Sequence, residues 1–365
     1  MPAAFTVRLR KVDGRALTLY ALAPFEAPPE PAPSPSSEPL EANPHLRWHP
    51  LRGEWVTYAA YRQHRTFLPP PEWNPLAPTR DAAHPTELPA GDWEVAVFDN
   101  RFPSLAPGAH DPPLSVVPTA PATGACEVVV FGQDPLEPLG AMPLARIGLV
   151  LQVLGERCRL LAARPGIAWV LPFENRGAEV GVTLHHPHGQ VYAYPVVPPV
   201  AERMAAVARE HAIRHGRGPL TELIARELAD GTRLLYRGPH AVAFVPACAR
   251  YPYEVWVAPI EPVAVLDALG DAQREDLARA LKTALRKLER LWDRPCPYLL
   301  AWYAAPAGDA RGWHLHAQIW PPYRTRDRLK YLAGTELAAG LFAMDALPED
   351  SARALQAVDV AAEVG

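Results

Sequence analysis

The 365-residue sequence predicts an α+β fold of two similar halves, each a mostly antiparallel sheet packed with helices. Short segments rich in Val, Thr and Tyr end at Pro or Gly, and the 44 prolines fit many strand ends and loops. Residues 143–164 and 271–293 instead repeat apolar residues every three or four positions, as helices do. Each of these helices lies between strands, and each half ends in a strand that contains histidine. The same order of elements therefore occurs twice.

The chain divides into five predicted parts. Residues 5–23 alternate in polarity around Asp13 and Gly14, which indicates a β-hairpin. Residues 24–44 are dense in Pro, Ser, Glu and Ala, which indicates an extended arm. The five parts are the hairpin and arm at 1–44, a first half at 45–198, connecting helices at 199–232, a second half at 233–347, and a C-terminal helix or tail at 348–365.

Individual elements follow from the same signals. The strands predicted for the first half lie near residues 54–59, 93–99, 126–131, 167–173 and 180–194. Those predicted for the second half lie near residues 233–237, 241–246, 253–258, 298–304 and 313–320. The connecting helices are expected near residues 200–214 and 219–230.

Composition limits the kind of partner. The net charge of -4, with 21% charged residues, predicts no basic surface for nucleic acid. Apolar stretches are too short or too interrupted to span a bilayer, and the N-terminus lacks the apolar core of a signal peptide. The four cysteines contain no Cys-x-x-Cys pair, which predicts neither a disulfide framework nor a zinc knuckle. We therefore expect a cytoplasmic protein without a membrane or nucleic-acid partner.

The segment from His186 to Gln190 carries the chemistry. Imidazole has an unperturbed pKa of about 6.5, so much of it is neutral and nucleophilic at pH 7. One ring nitrogen can attack a phosphate diester if a hydrogen bond at the other fixes the tautomer. In a strand over 180–194, His186 and His188 would share a face, Gly189 would let a phosphate approach the backbone, and Gln190 would donate to a phosphoryl oxygen. A bare His-x-His fits a surface run or an adventitious metal patch equally well, so the surrounding pattern decides.

That pattern resembles the active-site signature of the galactose-1-phosphate uridylyltransferases, a branch of the histidine-triad superfamily. The family motif is Phe-Glu-Asn-(Lys/Arg)-Gly, a spacer with a Gly and a hydroxyl residue, then His-Pro-His-Gly-Gln. This sequence has it as residues 173–177, Gly181, Thr183 and residues 186–190. Further segments that resemble the family are 48–56 with 61–65, 97–103, and 313–336.

The resemblance implies duplicated histidine-triad-like halves and a two-step transfer of UMP from UDP-glucose to galactose 1-phosphate through a uridylyl-histidine. The implied partners are a UDP-hexose and a hexose 1-phosphate. It also implies a homodimer in which the segment from Lys330 to Glu336 completes the neighbouring site. The implied catalytic residues are His188, His186 and Gln190. The implied substrate-binding residues are Arg62, Arg65, Asn100, Glu174, Asn175, Thr183, Lys330 and Glu336.

Two metal sites of the family lack most of their ligands here. A zinc is often held by a Cys-x-x-Cys pair, a later His and the first His of His-Pro-His. Residues 73–78 and Asp134-Pro135 replace the first three, so only His186 remains. Of an iron site with one Glu and three His, only His316 is kept, with Met204, Tyr303 and Gln318 at the other positions. We expect no metal and no cofactor, with recruitment of His49, His84 or His314 left open.

The remaining alternatives concern the second half and the acceptor. Gln318 is read as replacing the final His of a pattern that starts at His316, which predicts a second half without a nucleophile. The hexose-contact helix carries Tyr and Gln in the family but Thr335 and Phe342 here. A related nucleoside-diphosphate-sugar phosphorylase or transferase with another acceptor or base therefore stays open. So does a non-catalytic nucleotide-binding relative, because lost metal ligands can accompany lost activity.

Overall fold

The computed structural model describes residues 4–64, 68–308 and 310–365. Its strands are β1 (Phe5–Arg10), β2 (Ala16–Ala21), β3 (His45–His49), β4 (Glu54–Tyr58), β5 (Val95–Asp99), β6 (Thr119–Pro121), β7 (Ala125–Val130), β8 (Trp169–Arg176), β9 (His188–Tyr194), β10 (Leu234–Arg237), β11 (Ala241–Phe244), β12 (Val255–Pro259), β13 (Tyr298–Tyr303), β14 (His316–Trp320), β15 (Tyr323–Thr325) and β16 (Arg328–Leu329). Its α-helices are α1 (Leu144–Ala162), α2 (Pro199–His215), α3 (Pro219–Asp230), α4 (Asp271–Arg290), α5 (Pro348–Gln356) and α6 (Ala361–Val364).

Eleven strands form one sheet in the order β1-β2-β5-β7-β9-β8-β13-β14-β12-β11-β10, and every neighbouring pair is antiparallel. The first half contributes β5-β7-α1-β8-β9 along the chain, and the second contributes β11-β12-α4-β13-β14. The two inner strands, β8 and β13, pair with each other and join the halves. The predicted α+β fold of two similar halves is confirmed.

The two long helices cover one face of this sheet. Leu151 of α1 and Leu281 of α4 are almost fully buried in a core that also contains Val129, Val191 and Leu300 from the strands. Burying each such side chain contributes roughly 1.5–3 kcal/mol. Because side chains alternate along a strand, the intervening residues of β7 and β9 face the other way. That second face is covered by the small sheet β4-β3-β6 and by the connecting helices, and it carries the candidate site.

The predicted hairpin forms at the N-terminus. Gly14 has a φ of 83°, a conformation that favours glycine at the turn between β1 and β2. The arm runs back along the hairpin, with the Val12 amide donating to the Ala32 oxygen at 2.9 Å. β2 pairs with β5, so the hairpin extends the main sheet rather than standing apart.

The strand predicted at 180–194 starts too early. β9 begins only at His188, because Gly181 has a φ of 78° and Pro187 has no amide hydrogen for a sheet ladder. His186 therefore lies in the preceding loop. The predicted tail helix is interrupted into α5 and α6. Within the described ranges, no helix is both long and apolar enough to cross a membrane.

Candidate active site

His188 opens β9 on the sheet face opposite the two long helices. Its Nδ1 lies 2.7 Å from the backbone oxygen of His186. A carbonyl oxygen only accepts, so Nδ1 carries the proton and Nε2 keeps its lone pair. Burial lowers the pKa of His188 below the usual value of a histidine, against a smaller opposite effect of the hydrogen bond to His186. The ring is therefore neutral near pH 7 and nucleophilic at Nε2.

His186 is buried and holds this geometry from the loop. Its Nδ1 lies 2.9 Å from the Asn74 amide nitrogen, and its Nε2 lies 2.8 Å from the Gly132 oxygen. Asn74 must then donate to Nδ1, while the proton on Nε2 goes to Gly132. The sequence did not mark Asn74 as functional, although a polar residue in a proline-rich loop was a usable signal. Asn74 therefore fixes the imidazole of His186, and the backbone oxygen of His186 orients His188.

Gln190 presents a hydrogen-bond donor to the cavity that it shares with His188. Its Oε1 accepts from Asn100 Nδ2 at 3.3 Å and from the Tyr192 hydroxyl at 3.1 Å. The side-chain oxygen is thereby fixed, which leaves the amide nitrogen for a ligand in the adjoining cavity. Tyr192 is a second residue that the motif alone did not reveal, although it lies two positions further along the same strand face.

Gly189 serves packing rather than the approach of a phosphate. It points to the helix-covered face, where an added Cβ would lie 2.8 Å from Cζ of Phe131 and 3.0 Å from the Phe173 oxygen. No side chain is accommodated at such a distance without movement of its neighbours. The expected reason for this glycine was therefore wrong, and the bulk of Phe131 explains it instead.

Two cavities meet at His188. One, of about 220 Å³, has a mixed lining whose polar groups include Glu174, Asn175, Arg176, Glu179 and His186. The other, of about 230 Å³, combines apolar walls that include Phe98 and Phe102 with polar groups that include Glu87, Asn100, Arg101, Thr183 and Gln190. A nucleophile at their junction can act on a phosphorus atom whose two substituents occupy the two cavities.

Three predicted substrate-binding residues are tied to protein groups. Arg62 donates to the backbone oxygen of Phe102, a residue that lines the second cavity. Glu174 is buried, accepts from the Tyr298 hydroxyl at 3.0 Å, and has its pKa raised to about 7 by burial, against the lowering effect of Arg176. Thr183 accepts the Leu68 amide at its backbone oxygen, at 2.8 Å. Arg65 lies outside the described residues.

Lys330 and Glu336 line neither cavity at His188. Lys330 Nζ lies 3.4 Å from Glu336 Oε1 and donates to the Ala343 oxygen at 2.6 Å. Hydrogen bonds from backbone amides, first its own and then those of Ala333 and Ala343, lower the pKa of Glu336 to about 2. Lys330 and Glu336 thus bind each other and the backbone of their own loop within one chain. Their contact with substrate stays a prediction.

The second half repeats the site with one difference. His316 opens β14 as His188 opens β9, and its Nδ1 lies 2.8 Å from the backbone oxygen of His314. Gln318 pairs with Ala301 as Gln190 pairs with Phe173. The interpretation that Gln318 replaces a final histidine was therefore wrong, because Gln318 matches Gln190 and His316 matches His188.

The repeated histidine is nevertheless blocked. Gln318 Nε2 lies 3.0 Å from His316 Nε2, and the Tyr303 ring stacks on the imidazole with centroids 5.3 Å apart. Burial lowers the pKa of His316 to about 4. His316, which matches His188 in position, is thus unavailable for attack because of these contacts rather than because of a missing histidine.

Neither family metal fits the residues present. Both ring nitrogens of His186 are hydrogen-bonded to Asn74 and Gly132, so the zinc position offers no free histidine ligand. At the iron position, Gln318 and Tyr303 contact His316 directly. His84 and His314 bind Asp81 and Thr221. In the part of the chain that the structure describes, no group of three or more His, Cys, Asp or Glu could hold a metal ion.

A fixed, neutral histidine on a duplicated antiparallel sheet is an arrangement that suits a nucleotidyltransferase. Models of the galactose-1-phosphate uridyl transferase N-terminal and C-terminal domains match residues 36–198 and 205–363. The galactose-1-phosphate uridylyltransferase of Thermotoga maritima is 32% identical over 323 residues, which cover 86% of this chain and 98% of that protein. That of Streptomyces lividans is 33% identical over 335 residues, covering 86% and 87%.

A solved uridylyltransferase structure is similar with a TM-score of 0.76 and 30% identity, and the match covers 86% of this chain and 97% of that one. The chain belongs to the galactose-1-phosphate uridyl transferase family.

Proposed function

We propose that this protein transfers UMP from UDP-glucose to galactose 1-phosphate through a covalent intermediate on His188. The observation that carries the proposal is the fixed tautomer of His188 at the junction of two cavities. Membership of the family supports both substrates. Predicted contacts of Arg62, Asn100, Asn175, Thr183 and Gln190 would orient the nucleotide and stabilise charge on its phosphates.

In the first step, Nε2 of His188 forms a bond to the α-phosphorus, and the bond from that phosphorus to the bridging oxygen breaks. Glucose 1-phosphate leaves with the electron pair. The imidazole then carries a positive charge, which the hydrogen bond from Nδ1 to the His186 oxygen stabilises. In the second step, a phosphate oxygen of galactose 1-phosphate attacks, the P–N bond breaks, and neutral His188 and UDP-galactose form.

Intact-protein mass spectrometry after brief mixing with UDP-glucose tests the covalent step. A gain of one uridylyl mass in the wild type, absent in His188→Asn, is the expected result. No gain from UDP-glucose would overturn the proposal. A gain from ADP-glucose instead would favour a related enzyme with another base, and adduct removal by inorganic phosphate but not by galactose 1-phosphate would favour a phosphorylase.

We also propose a homodimer whose sites are shared. The loop that carries Lys330 and Glu336 exposes Tyr331, Leu337 and Leu341, at 76%, 66% and 71% exposure. Such a cluster of exposed apolar side chains suits contact with a second copy. Co-expression of His188→Asn with Lys330→Ala tests sharing, because a mixed dimer would regain one intact site. No regain of activity in a mixed dimer would show that the loop does not act across subunits.

The location we propose is the cytoplasm. Cys126, Cys158, Cys248 and Cys296 are all free thiols, and three of them are buried. Free cysteines suit a reducing compartment. Reporter fusion and fractionation of the source cells would test this, and recovery of the protein outside the cytoplasm would contradict it.

A further inference from the structure

The N-terminal hairpin and the arm up to residue 35 lie ahead of residue 36, where the family match begins, and the hairpin pairs with the strand that leads to the second cavity. β2 pairs with β5, and β5 leads directly into Asn100 and Arg101. Arg15 Nη1 donates to the Asp99 oxygen at 2.9 Å, and the Ala16 amide donates to the Asp99 carboxylate at 2.9 Å. The hairpin therefore holds the turn that presents Asn100 and Arg101. Pro35 of the arm lines the same cavity as His188.

A buried charge network links the hairpin to this turn. Arg15 donates to Asp13 at 2.8 Å and to Glu87 at 2.6 Å, and Lys11 contacts the same Glu87 carboxylate. Burial opposes ionisation of Asp13, but hydrogen bonds from Arg15 and Ser34 outweigh it and lower the Asp13 pKa. Lys11 and Arg15 already balance the two carboxylates.

Arg101 adds a third cation to this network. Its Nη1 lies 3.7 Å from Asp13 Oδ2, which is too long for a hydrogen bond, and this buried nitrogen has no hydrogen-bond partner in the described chain. Because Arg101 also lines the second cavity, an unsatisfied donor lies beside the space that a ligand would occupy. A guanidinium has donors and no acceptor, so its natural partner is an oxygen acceptor.

The second cavity suits the nucleoside rather than the sugar. Phe98 and Phe102 with Leu76 and Val128 provide flat apolar walls, which fit a planar base, whereas the first cavity is lined by carboxylates, an amide and Arg176, which fit sugar hydroxyls. We propose that the N-terminal extension is part of the nucleotide site. Arg101 donates to an oxygen of the nucleoside, and Asp13 is the positioning residue that holds Arg101 there. This inference rests on the proposed use of a nucleoside diphosphate sugar.

Calorimetric binding of UDP-glucose in the His188→Asn background tests the inference without any chemical step. Arg101→Gln should weaken binding by about tenfold, as for a lost hydrogen bond to a charged group. Asp13→Asn should weaken it less, and should add nothing to Arg101→Gln if Asp13 acts through Arg101. Arg8→Gln, on the exposed side of β1, is the matched control and should bind like the parent.

If Asp13 had a purely structural role, Asp13→Asn would lower thermal stability and would weaken UDP-glucose binding by the same factor with and without Arg101→Gln. Unchanged affinity in Arg101→Gln overturns the inference even if the wild type forms a uridylyl adduct. A weakened Arg101→Gln in a protein that forms no adduct overturns the proposed function alone. If UDP-glucose does not bind at all, both are wrong. Binding of the 2′-deoxy analogue of UDP-glucose distinguishes the two kinds of acceptor. If Arg101 donates to that ribose hydroxyl, Arg101→Gln should no longer weaken binding of the analogue. If Arg101 donates to a base carbonyl, the weakening should persist.

Discussion

Gln318 donates a hydrogen bond from its side-chain amide to Nε2 of His316 at 3.0 Å, and this hydrogen bond makes the second half of the protein chemically different from the first. In the first half, Gln190 turns its oxygen toward Asn100 and Tyr192 instead. The described residues place no hydrogen-bond donor on Nε2 of His188. Two nearly identical motifs therefore give one available nucleophile and one that is blocked.

Gln190→Met should lower the maximal rate of adduct formation by about 10²–10³-fold, because it removes a donor aimed at the phosphoryl oxygen. Gln318→Met is the matched control, since the same change in the second half removes the amide from His316. It should leave the rate within about threefold of the wild type. Rapid-quench mass spectrometry measures both. Equal losses in the two variants would show that Gln190 has no special role.

The rate of adduct formation should fall at acid pH with a midpoint below 6.5, the ordinary pKa of histidine, because burial lowers the pKa of His188. His188 attacks as the neutral base, so the rate is full above its folded pKa and falls as the pH drops through that value. UDP-glucose binding to His188→Asn over the same pH range separates affinity from chemistry. A midpoint at or above 6.5 would contradict the prediction.

Gly189→Ala should destabilise the fold by about 1–3 kcal/mol, because its Cβ would overlap the Phe131 ring. Urea unfolding measures the loss. Gly334→Ala, where no atom lies within 4 Å of an added Cβ, is the control and should be nearly neutral. Phe131→Leu in combination with Gly189→Ala should recover part of the loss. Strictly additive effects of those two changes would rule out the proposed overlap.

Chelation should leave both the melting temperature and the rate of adduct formation unchanged. The reason is that Asn74 and Gly132 occupy both ring nitrogens of His186, where a zinc ligand would otherwise be free. Dialysis against EDTA, with metal content measured before and after, makes the comparison. Activity that disappears on dialysis and returns with zinc would refute this reading of the site.

The sequence predicted the parts of the structure that depend on local pattern. The apolar periodicity located α1 and α4, and the motif at 186–190 located the histidine whose tautomer is fixed beside the two cavities. The sequence did not predict the features that contacts between distant residues determine. Phe131 determines the need for glycine at position 189, and Asn74 reaches His186 from a loop 112 residues away. Asp13 and Arg101 are distant in sequence and meet only because β2 pairs with β5.

The pairing of β8 with β13 has a consequence for how the chain unfolds and evolves. The strand that carries His188 pairs with β8, and β8 in turn has its other edge covered by the second half. Removal of the second half would expose that edge and open the core that α1 and α4 share. The two halves should therefore melt in a single cooperative transition. Substitutions can therefore alter the chemistry of the half that contains His316, but deletion of that half should also disrupt the half that contains His188.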